Sequence, residues 1–495
     1  MILEWPPADG EGKRLCPKCG NEAEGTFCDG CNLRSIREGS PLAIYGRLRE
    51  EAGLPFFGGF FPEAIYGYDL RFIVAKTPDL EAEATRYAEA FRQATKPGLM
   101  IVSVDQRSSG SLLKQAFLTA ARESGTEAVG VEGMLSTTSS PFLGAMASHL
   151  TGQKILLFHC TASHNPPAYN GFKVFHGDFK ADMFPTKLEI QPEIHSDRVH
   201  QTYATFLLKR FGPDPSKIPF TFDFMHGVGW EVLKHVFPQM APKVKVLRTQ
   251  PFEDFGGMEN AQPPPVHEGQ KGLSFCADGD MDRIVMYHHG KYIPMSRFLA
   301  ILAELGAGPD QVVMDQRLSP VVRDFLTERG VGVIMGGVGR AVQEFLGVKH
   351  RALWTEDNWH SGGYEADGVK FFWPEGPLCL MDWLKHIENT GVNQFFEGRQ
   401  VPETFYHQVK LAVSPNMNEK VKKMADGVFT DAVNVEPIGP EDGVNISFKD
   451  SHMLIRESNT ECGSLRVEAT ALTPEGAERL AVRGVRFVEK LRVKK

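Results

Sequence analysis

Residues 154–175 read KILLFHCTASHNPPAYNGFKVF, and this stretch indicates both a fold class and a possible chemistry. KILLFHC (154–160) is a short apolar run of the kind that forms a buried strand. TASHNPP (161–167), which we call the serine loop, follows it directly, so Ser163 lies at the carboxyl end of that strand. Ligands bind at such strand ends in α/β sheets. Ser163 is either a nucleophile in a shaped loop or part of a polar turn, and the stretch alone leaves both open.

The rest of the chain repeats this alternation of strand-like and helix-like segments. Four apolar runs are each followed by an amphipathic helical pattern: 99–104 and 111–125, 217–224 and 229–237, 311–316 and 320–330, 331–337 and 340–347. KGLSFCA (271–277) instead precedes the hairpin-like RIVMYHHGKYI, in which we expect His288 and His289 to be exposed strand residues. The alternation predicts an α/β fold with largely parallel or mixed sheets.

Composition excludes several classes of protein. The chain has 495 residues, of which 42% are hydrophobic and 23% charged, with a net charge of −8. That length predicts three or four domains, and the charge gives no reason to expect a nucleic-acid or membrane-surface partner. No apolar run approaches the ~20 residues of a membrane span, and the first residues do not resemble a secretory signal. We therefore expect a cytoplasmic protein.

Four of the eight cysteines lie close together near the start of the chain. CPKCGNEAEGTFCDGC places Cys16, Cys19, Cys28 and Cys31 in two CxxC pairs. Two such turns give tetrahedral S₄ coordination, which suits a structural Zn²⁺ with no open position. A redox pair is the alternative, but no thioredoxin-like unit follows. Residues 1–50 carry no excess of positive charge, so a ribbon here favours a protein partner over nucleic acid.

DGDMDR (278–283), which we call the acidic loop, follows the strand-like run 271–277. Asp278, Asp280 and Asp282 alternate along it, and oxygen ligands of this kind suit Mg²⁺. Arg283 would bind an anion beside the metal. A solvated acidic turn is the alternative, whereas an EF-hand is excluded because Gly290 stands at the position of its last ligand.

Two further polar loops follow strand-like runs. In TEDNWH (355–360), Glu356, Asn358 and His360 could bracket neighbouring sugar hydroxyls. In RESNTE (456–461), hydroxyl, amide and guanidinium groups could cradle a phosphate, and the residues concerned are Arg456, Ser458, Asn459 and Thr460. GGVGRA (336–341) is not a dinucleotide loop, because Val342 replaces its last glycine. Four loops in four units suggest one site between domains.

Together these loops resemble the α-D-phosphohexomutase superfamily, most closely its phosphomannomutase/phosphoglucomutase members. The similarity covers roughly residues 60–490. The segments that resemble the motifs of the family are YDLR (68–71), VDQRSSG (104–110), TASHNPPAYNGFK (161–173), the acidic loop, TEDNWH and RESNTE. By this resemblance we call 355–360 the sugar loop and 456–461 the phosphate loop.

The resemblance implies a four-domain phosphohexomutase-like architecture after the zinc ribbon of residues 1–40. Three related mixed-sheet α/β domains would precede an α+β C-terminal domain. The boundaries we predict are 41–195 with the serine loop, 196–292 with the acidic loop, 293–398 with the sugar loop and 399–495 with the phosphate loop.

The resemblance also implies a reaction. Ser163 would carry a phosphoryl group at a Mg²⁺ held by the three aspartates, and would exchange it with a hexose phosphate through a bisphosphate intermediate. Lys173 and Arg71 would handle protons beside Ser163, and His164 would orient groups or contact substrate. The phosphate loop would hold the phosphate that does not react. A sugar 1,6-bisphosphate would activate the enzyme, and glucose and mannose phosphates are the default substrates.

Some positions depart from the family pattern. In the sugar loop, Asn358 and Trp359 stand where the family has serine and glycine, and we expect the tryptophan to remove space or add a stacking face. Phe72 and Cys462 replace a glycine and a proline of the neighbouring motifs. These changes affect the prediction of which sugar binds. Two alternatives to a mutase remain: a non-catalytic sugar-phosphate-binding regulator that contacts a partner through its ribbon, and a phosphatase.

Overall fold

The structure is a computed structural model. It describes residues 14–15, 22–23, 56–58, 69–74, 80–179, 190, 193–211, 218–239, 244–366, 369–413, 417–438, 443–457 and 464–493. Seven predicted site residues lie outside these ranges: Cys16, Cys19, Cys28, Cys31, Ser458, Asn459 and Thr460. The zinc ribbon and most of the phosphate loop therefore stay predictions. Near the start of the chain, β1 (Arg14–Leu15) pairs with β2 (Glu22–Ala23) in antiparallel fashion.

The first large sheet is mixed and has seven strands. They are β3 (Phe56–Gly58), β4 (Asp69–Ile73), β5 (Leu99–Val104), β6 (Glu127–Glu132), β7 (Ile155–Cys160), β8 (Tyr169–Asp178) and β9 (Ile194–His195). Their order is β3-β8-β7-β5-β6-β9, with β4 also on β8. β5 is parallel to β6 and β7, whereas β8 is antiparallel to its neighbours.

Helices cover both faces of this sheet, so its central strands are apolar throughout. The helices are α1 (Leu80–Thr95), α2 (Gly110–Glu123), α3 (Ser139–Thr151) and α4 (Ser196–Phe211). Along β7, Leu156 and Phe158 pack in the core under α1 and α2, whereas Ile155 and Leu157 join the core under α3. This alternation is the period of two that a strand requires.

The second sheet carries the acidic loop between two of its strands. Its strands are β10 (Phe220–Asp223), β11 (Val244–Leu247), β12 (Leu273–Ala277), β13 (Ile284–His288) and β14 (Lys291–Ile293), in the order β11-β10-β12-β13-β14. β10, β11 and β12 are parallel, and β12, β13 and β14 form an antiparallel meander. The helix predicted at 229–237 is shorter, α5 (Gly229–Leu233), because Pro238 lacks an N–H and its ring clashes with the carbonyl four residues back.

The third sheet carries the sugar loop. Its strands are β15 (Gln311–Asp315), β16 (Gly332–Gly336), β17 (Leu353–Thr355) and β18 (Ser361–Gly362), in the order β16-β15-β17-β18. A hairpin of β19 (Tyr364–Ala366) and β20 (Val369–Phe371) follows. The helices here are α6 (Met295–Glu304), α7 (Pro320–Glu328), α8 (Arg340–His350), α9 (Gly376–Thr390) and α10 (Val392–Phe396).

The fourth sheet is antiparallel throughout and packs its helices on one face. Its strands are β21 (Phe405–Ala412), β22 (Asn434–Pro437), β23 (Val444–Ser447), β24 (His452–Glu457) and β25 (Ser464–Ala471), in the order β21-β25-β24-β23-β22. The helices are α11 (Met417–Val428) and α12 (Pro474–Val493). Val421, Phe487 and Val488 of these helices meet Ile455 and Val467 of the sheet in one core.

The predicted α/β class with mixed sheets is confirmed, and strands end at the serine, acidic and sugar loops as expected. The domain boundaries stay a prediction. One local prediction is wrong: His289 is exposed as expected, but His288 retains only 9% of its surface and its ring stacks on Phe396. Among the described residues, no helix has the length and apolar character that a membrane span requires.

Candidate active site

The serine loop holds Ser163 in a left-handed backbone conformation, with φ of 52°. A non-glycine residue rarely adopts this conformation, so other groups must stabilise it. The Ser163 N–H donates to Oγ1 of Thr161 at 2.9 Å. The buried guanidinium of Arg107 donates to four carbonyl oxygens around the loop, those of Ser163, Asn165, Pro166 and Tyr169, at 2.7–2.9 Å. Arg107 thus fixes the backbone from Ser163 to Tyr169.

The Ser163 hydroxyl faces the acidic loop across the boundary between the first two sheets. Its Oγ donates to Oδ2 of Asp278 at 3.0 Å and accepts from Nη2 of Arg283 at 3.2 Å. The same Nη2 lies 2.9 Å from Nδ1 of His164. Gly279 makes this approach possible, because a Cβ there would stand 2.9 Å from the carbonyl oxygen of Ser163. The hydroxyl therefore lies between a carboxylate and a guanidinium.

The three aspartates of the acidic loop converge although all are buried. One carboxylate oxygen of each lies within 4.8 Å of the others. Oδ1 of Asp280 and Oδ1 of Asp282 are enclosed and have no hydrogen-bond partner in the described part of the chain. Buried carboxylates without partners are costly, and a hard cation satisfies several at once. The donor set therefore fits Mg²⁺.

Lys173 lies on the other side of the acidic loop from Ser163. Its Nζ donates to Oδ2 of Asp280 at 2.7 Å and also binds Asp282. Thr137, at the start of the segment leading into α3, donates to the same oxygen of Asp280 at 2.6 Å. Within the described residues, no hydrogen bond joins Lys173 to Ser163. In this structure Lys173 neutralises the acidic loop rather than contacting the serine.

Burial and nearby charges give the three aspartates different pKa values. Burial, reinforced by Asp282, raises the pKa of Asp278 to about 8. Burial also acts to raise the pKa of Asp280 and of Asp282, but the charge of Lys173 outweighs it and both pKa values fall below the usual range. Like charges packed this closely cannot all ionise without a counter-charge. Two cations pair with the three carboxylates: Lys173 with Asp280 and Asp282, and Arg283 with Asp278 and Asp282.

The sugar loop is joined to the acidic loop through both backbone and side chains. Arg283 and His360 form an antiparallel bridge. Nε2 of His360 lies 3.1 Å from Oδ2 of Asp282, and its Nδ1 lies 3.5 Å from Oε2 of Glu356. Burial acts to lower the pKa of His360, but the charges of Asp282 and Glu356 raise it overall. The imidazole therefore lies between the two carboxylates.

Arg317 extends this network into the third sheet. It follows β15, binds Asp315 closely, and lies 3.3 Å from Oε2 of Glu356. Burial acts to raise the pKa of Glu356, but Arg317 and then His360 keep the pKa well below its usual range. Glu356 is thus an ionised carboxylate held between Arg317 and His360.

Trp359 has left-handed φ of 68°, which explains why this position suits glycine. Its side chain turns away from the loop and is fully buried against Phe298 and Trp383. The indole Nε1 donates to the carbonyl of Ile293 at 2.7 Å. The expectation that the tryptophan narrows the site or offers it a stacking face is therefore wrong, because core packing takes the ring.

The remaining predicted residues are further from Ser163 or only partly described. Arg456 is buried on β24, and its Nε donates to Oε2 of Glu468 at 2.8 Å rather than standing free for a phosphate. Asn358 uses Oδ1 to accept from the His360 N–H at 3.3 Å. Arg71 pairs through its backbone with Gly171, two residues before Lys173 along β8.

Comparison with known proteins gives a matching family model. It is described as phosphoglucomutase/phosphomannomutase, alpha/beta/alpha domain I, and it matches residues 64–197. A phosphoglucomutase/phosphomannomutase of Thermococcus kodakarensis is 23% identical over 436 residues, covering 80% of this chain and 91% of the relative. A phosphoglucosamine mutase of Methanococcus maripaludis is 24% identical over 425 residues, covering 79% of this chain and 91% of the relative.

The fold agrees with these sequence matches. The crystal structure of a phosphoglucomutase/phosphomannomutase family protein from Burkholderia thailandensis superimposes with a TM-score of 0.66 at 20% identity, covering 87% of this chain and 97% of that one. Over residues 64–197 the chain therefore matches the phosphoglucomutase/phosphomannomutase domain I, and across most of its length it shares the fold of a solved protein of that family.

Sequence reasoning identified the serine, acidic and sugar loops but missed several residues that contact them. Arg107, Thr137 and Arg317 contact the serine, acidic and sugar loops respectively. Arg107 lies in a segment that resembles a family motif, so its position was available from the sequence. Its four carbonyl contacts were not, because they form between residues 56 to 62 positions apart in the chain.

Proposed function

We propose that this protein is a phosphosugar mutase that interconverts 1-phospho and 6-phospho hexoses through a phosphorylated Ser163 and a bisphosphate sugar. One observation carries the proposal: Oγ of Ser163 lies between Asp278 and Arg283, above three buried aspartates that converge. The matched relatives, which are mutases by name, support the same reaction class.

The residues of the chain would divide the reaction between them. Asp278, Asp280 and Asp282 would hold Mg²⁺ together with the phosphoryl oxygens on Ser163. Bound Mg²⁺ would neutralise charge on the transferring phosphoryl group. Arg283, 3.2 Å from the serine oxygen, adds a second positive charge where negative charge accumulates. Arg107 keeps the serine at the position these groups require.

Proton transfer is proposed for Lys173 and Arg71, which lie on the neighbouring strands β8 and β4. His164, whose Nδ1 faces Arg283, orients that guanidinium. Glu356, Asn358 and His360 would bind sugar hydroxyls. Arg456 with Ser458, Asn459 and Thr460 would bind the second phosphate, after Arg456 exchanges part of its contact with Glu468 for the ligand.

The sugar is proposed to be glucose, mannose or glucosamine phosphate. Glucose and mannose follow from the resemblance of the motifs, and glucosamine is added by relatives named phosphoglucosamine mutase. A sugar 1,6-bisphosphate is proposed as activator, because it would phosphorylate Ser163 of the resting enzyme. A cytoplasmic location, expected from the sequence, stays a prediction.

The N-terminal segment is proposed to bind structural Zn²⁺ through Cys16, Cys19, Cys28 and Cys31 and to contact a protein partner. The antiparallel pairing of residues 14–15 with 22–23 supports this, because Cys16 and Cys19 lie between the two paired segments in the sequence. Two thiolates of one short segment can bind one ion.

Intact mass and a coupled assay test the mutase function. Incubation with glucose 1,6-bisphosphate should add one phosphoryl group, and the enzyme should then turn over at least one of the three 1-phosphosugars. Ser163→Ala should lose both properties, whereas Ser111→Ala, which alters an exposed serine of α2, should keep both. Chelation should stop turnover, and Mg²⁺ should restore it.

The same assay separates the alternatives. Phosphosugar binding without phosphorylation or turnover would identify a regulatory binding protein and contradict the proposal. Release of inorganic phosphate from the bisphosphate, without exchange of phosphate between sugar positions, would identify a phosphatase.

A further inference from the structure

The turn between β13 and β14 places two histidine rings side by side. Adjacent residues of a strand normally point to opposite faces. His289 departs from this pattern because its φ is 51°, and its ring centroid lies 4.2 Å from that of His288. Gly290 completes the turn at φ of 73°, where a Cβ would stand 2.8 Å from the carbonyl oxygen of His267. The turn therefore fixes both rings on one side.

The carboxylate that follows α10 reaches the same place. Phe396, the last residue of α10, stacks on His288 with centroids 4.5 Å apart and an interplanar angle of 20°. Glu397 follows at once and is exposed. One ring nitrogen of each histidine and one carboxylate oxygen of Glu397 all lie within 4.8 Å of one another. Segments more than a hundred residues apart thus form one cluster.

The buried member of the cluster lacks a hydrogen-bond partner. His288 is 91% buried, and its Nε2 is enclosed without a partner in the part of the chain that the structure describes. A buried polar nitrogen in this condition is unusual and costly. His289 accepts from the Gly272 N–H at 3.2 Å, a contact at the surface that water can replace. Arg297, whose charge acts on His288, is paired with Glu403 at 2.6 Å.

We propose that His288, His289 and Glu397 form a binding site for Zn²⁺, separate from the acidic loop and from the four N-terminal cysteines. Two imidazoles and a carboxylate are a ligand set that zinc accepts, with water in the remaining position. Tetrahedral bonds of 2.0–2.1 Å require ligand atoms about 3.3 Å apart. The exposed side chains of His289 and Glu397 can close that gap while His288 stays fixed by Phe396.

The position of this site indicates a structural role. β13 begins just after Arg283 and ends at His288, so the site lies roughly 16 Å along the strand from the acidic loop. Glu397 follows α10, the last helix of the region that contains the third sheet. Zinc here would cross-link the second sheet to α10 and stabilise the junction between them without contacting the substrate.

Zinc content of the full-length protein tests the site. Protein dialysed against zinc in excess Mg²⁺, which occupies the acidic loop, should hold one more zinc equivalent than His289→Ala or Glu397→Gln. Both variants change exposed side chains, so each checks the other against misfolding. His386→Ala, which removes a partly exposed histidine of α9, is the matched control and should keep the full zinc content.

Cobalt spectra distinguish this site from the cysteines. Cobalt bound by thiolates gives intense charge-transfer absorption, whereas a site of two imidazoles and a carboxylate contributes only weak bands. His289→Ala should lose one cobalt equivalent and keep the charge-transfer bands. Equal metal content in the parent protein and in both variants, or loss of the thiolate bands alone, would overturn the proposal whether or not the protein is a mutase.

Discussion

The serine loop and the sugar loop meet the same structural requirement in opposite ways. Each contains a non-glycine residue in the left-handed conformation, Ser163 at φ of 52° and Trp359 at φ of 68°. Hydrogen bonds from the Arg107 guanidinium hold the first, whereas burial of an indole in the core holds the second. Because the serine loop is fixed through its backbone, the Ser163 hydroxyl can face Asp278 and Arg283. In the sugar loop the side chain of Trp359 is itself the anchor.

Arg107→Lys should have the largest effect, because it removes the hydrogen bonds that hold the serine loop. A lysine ammonium cannot reach four carbonyl oxygens, and buried carbonyls without donors are costly. We expect the free energy of unfolding to fall by about 3 kcal/mol and kcat to fall by roughly 1,000-fold, because Ser163 loses its position. Denaturant melts and the mutase assay measure both. Near-normal kcat in a folded variant would show that Arg107 does not position the serine.

Trp359→Gly removes the buried indole that holds the sugar loop and should have a smaller effect on catalysis than Arg107→Lys. Loss of the indole costs about 3–5 kcal/mol of unfolding free energy, but glycine relieves roughly 1 kcal/mol of backbone strain. KM should rise more than kcat falls, since Glu356 and His360 are disturbed while Ser163 is not.

Trp359→Phe is the matched control for this prediction. It keeps a ring in the core and removes only the hydrogen bond to Ile293, so a cost of about 1 kcal/mol is expected. If the glycine variant reduced kcat as strongly as Arg107→Lys, the two loops would not be independent.

Glu375 allows a further test of how polar and apolar groups support the two loops, because it is a polar group within an apolar core. Its N–H donates to the carbonyl of Ser361, just after the sugar loop, and its carboxyl accepts from Tyr203 and Trp373. Burial raises its pKa to about 8, from an ordinary value of 4.5. The contribution of the protonated Glu375 carboxyl to folding stability is therefore complete below pH 4.5 and is lost as the pH rises through 8.

Glu375→Gln keeps a neutral group of the same shape at every pH. Compared with the parent protein, the variant should gain about 4–5 kcal/mol of unfolding free energy at pH 9 and less than about 1 kcal/mol at pH 5. Denaturant melts at both values measure the difference. Parallel pH profiles for the two proteins would mean that Glu375 does not bind a proton on folding.

Asn358→Ser should have the smallest effect on stability. A serine hydroxyl can accept from the His360 N–H as the amide oxygen does, so the unfolding free energy should change by less than about 0.5 kcal/mol. The ratio of kcat/KM values among glucose, mannose and glucosamine 1-phosphates should change instead. An unaltered ratio would indicate that Asn358 does not contact the sugar.

The sequence predicted elements whose signal is local and missed contacts that depend on the tertiary fold. The strand at 155–160 and its polar loop are visible because apolar runs and loop residues are neighbours in the chain. The convergence of Asp278, Asp280 and Asp282 follows from their alternation around Gly279. Such features need no knowledge of the rest of the molecule.

Side-chain direction could not be predicted in the same way. The ring of Trp359 could point into the site or into the core, and only Phe298 and Trp383, 61 and 24 residues away, decide between them. Burial of His288 depends on Phe396, which is brought over the hairpin by α10. Lys173 was expected beside Ser163, but the acidic loop offers its ammonium two carboxylates.

The backbone bridge between Arg283 and His360 limits which sheets can move apart. It joins the second and third sheets beside the acidic and sugar loops, so these sheets cannot separate without breaking the site. The fourth sheet contacts the third through an apolar cluster of Val338, Ile438 and Leu454, which does not include the bridge. Separation of the fourth sheet from the third would therefore leave the bridge, and the contacts among the serine, acidic and sugar loops, intact.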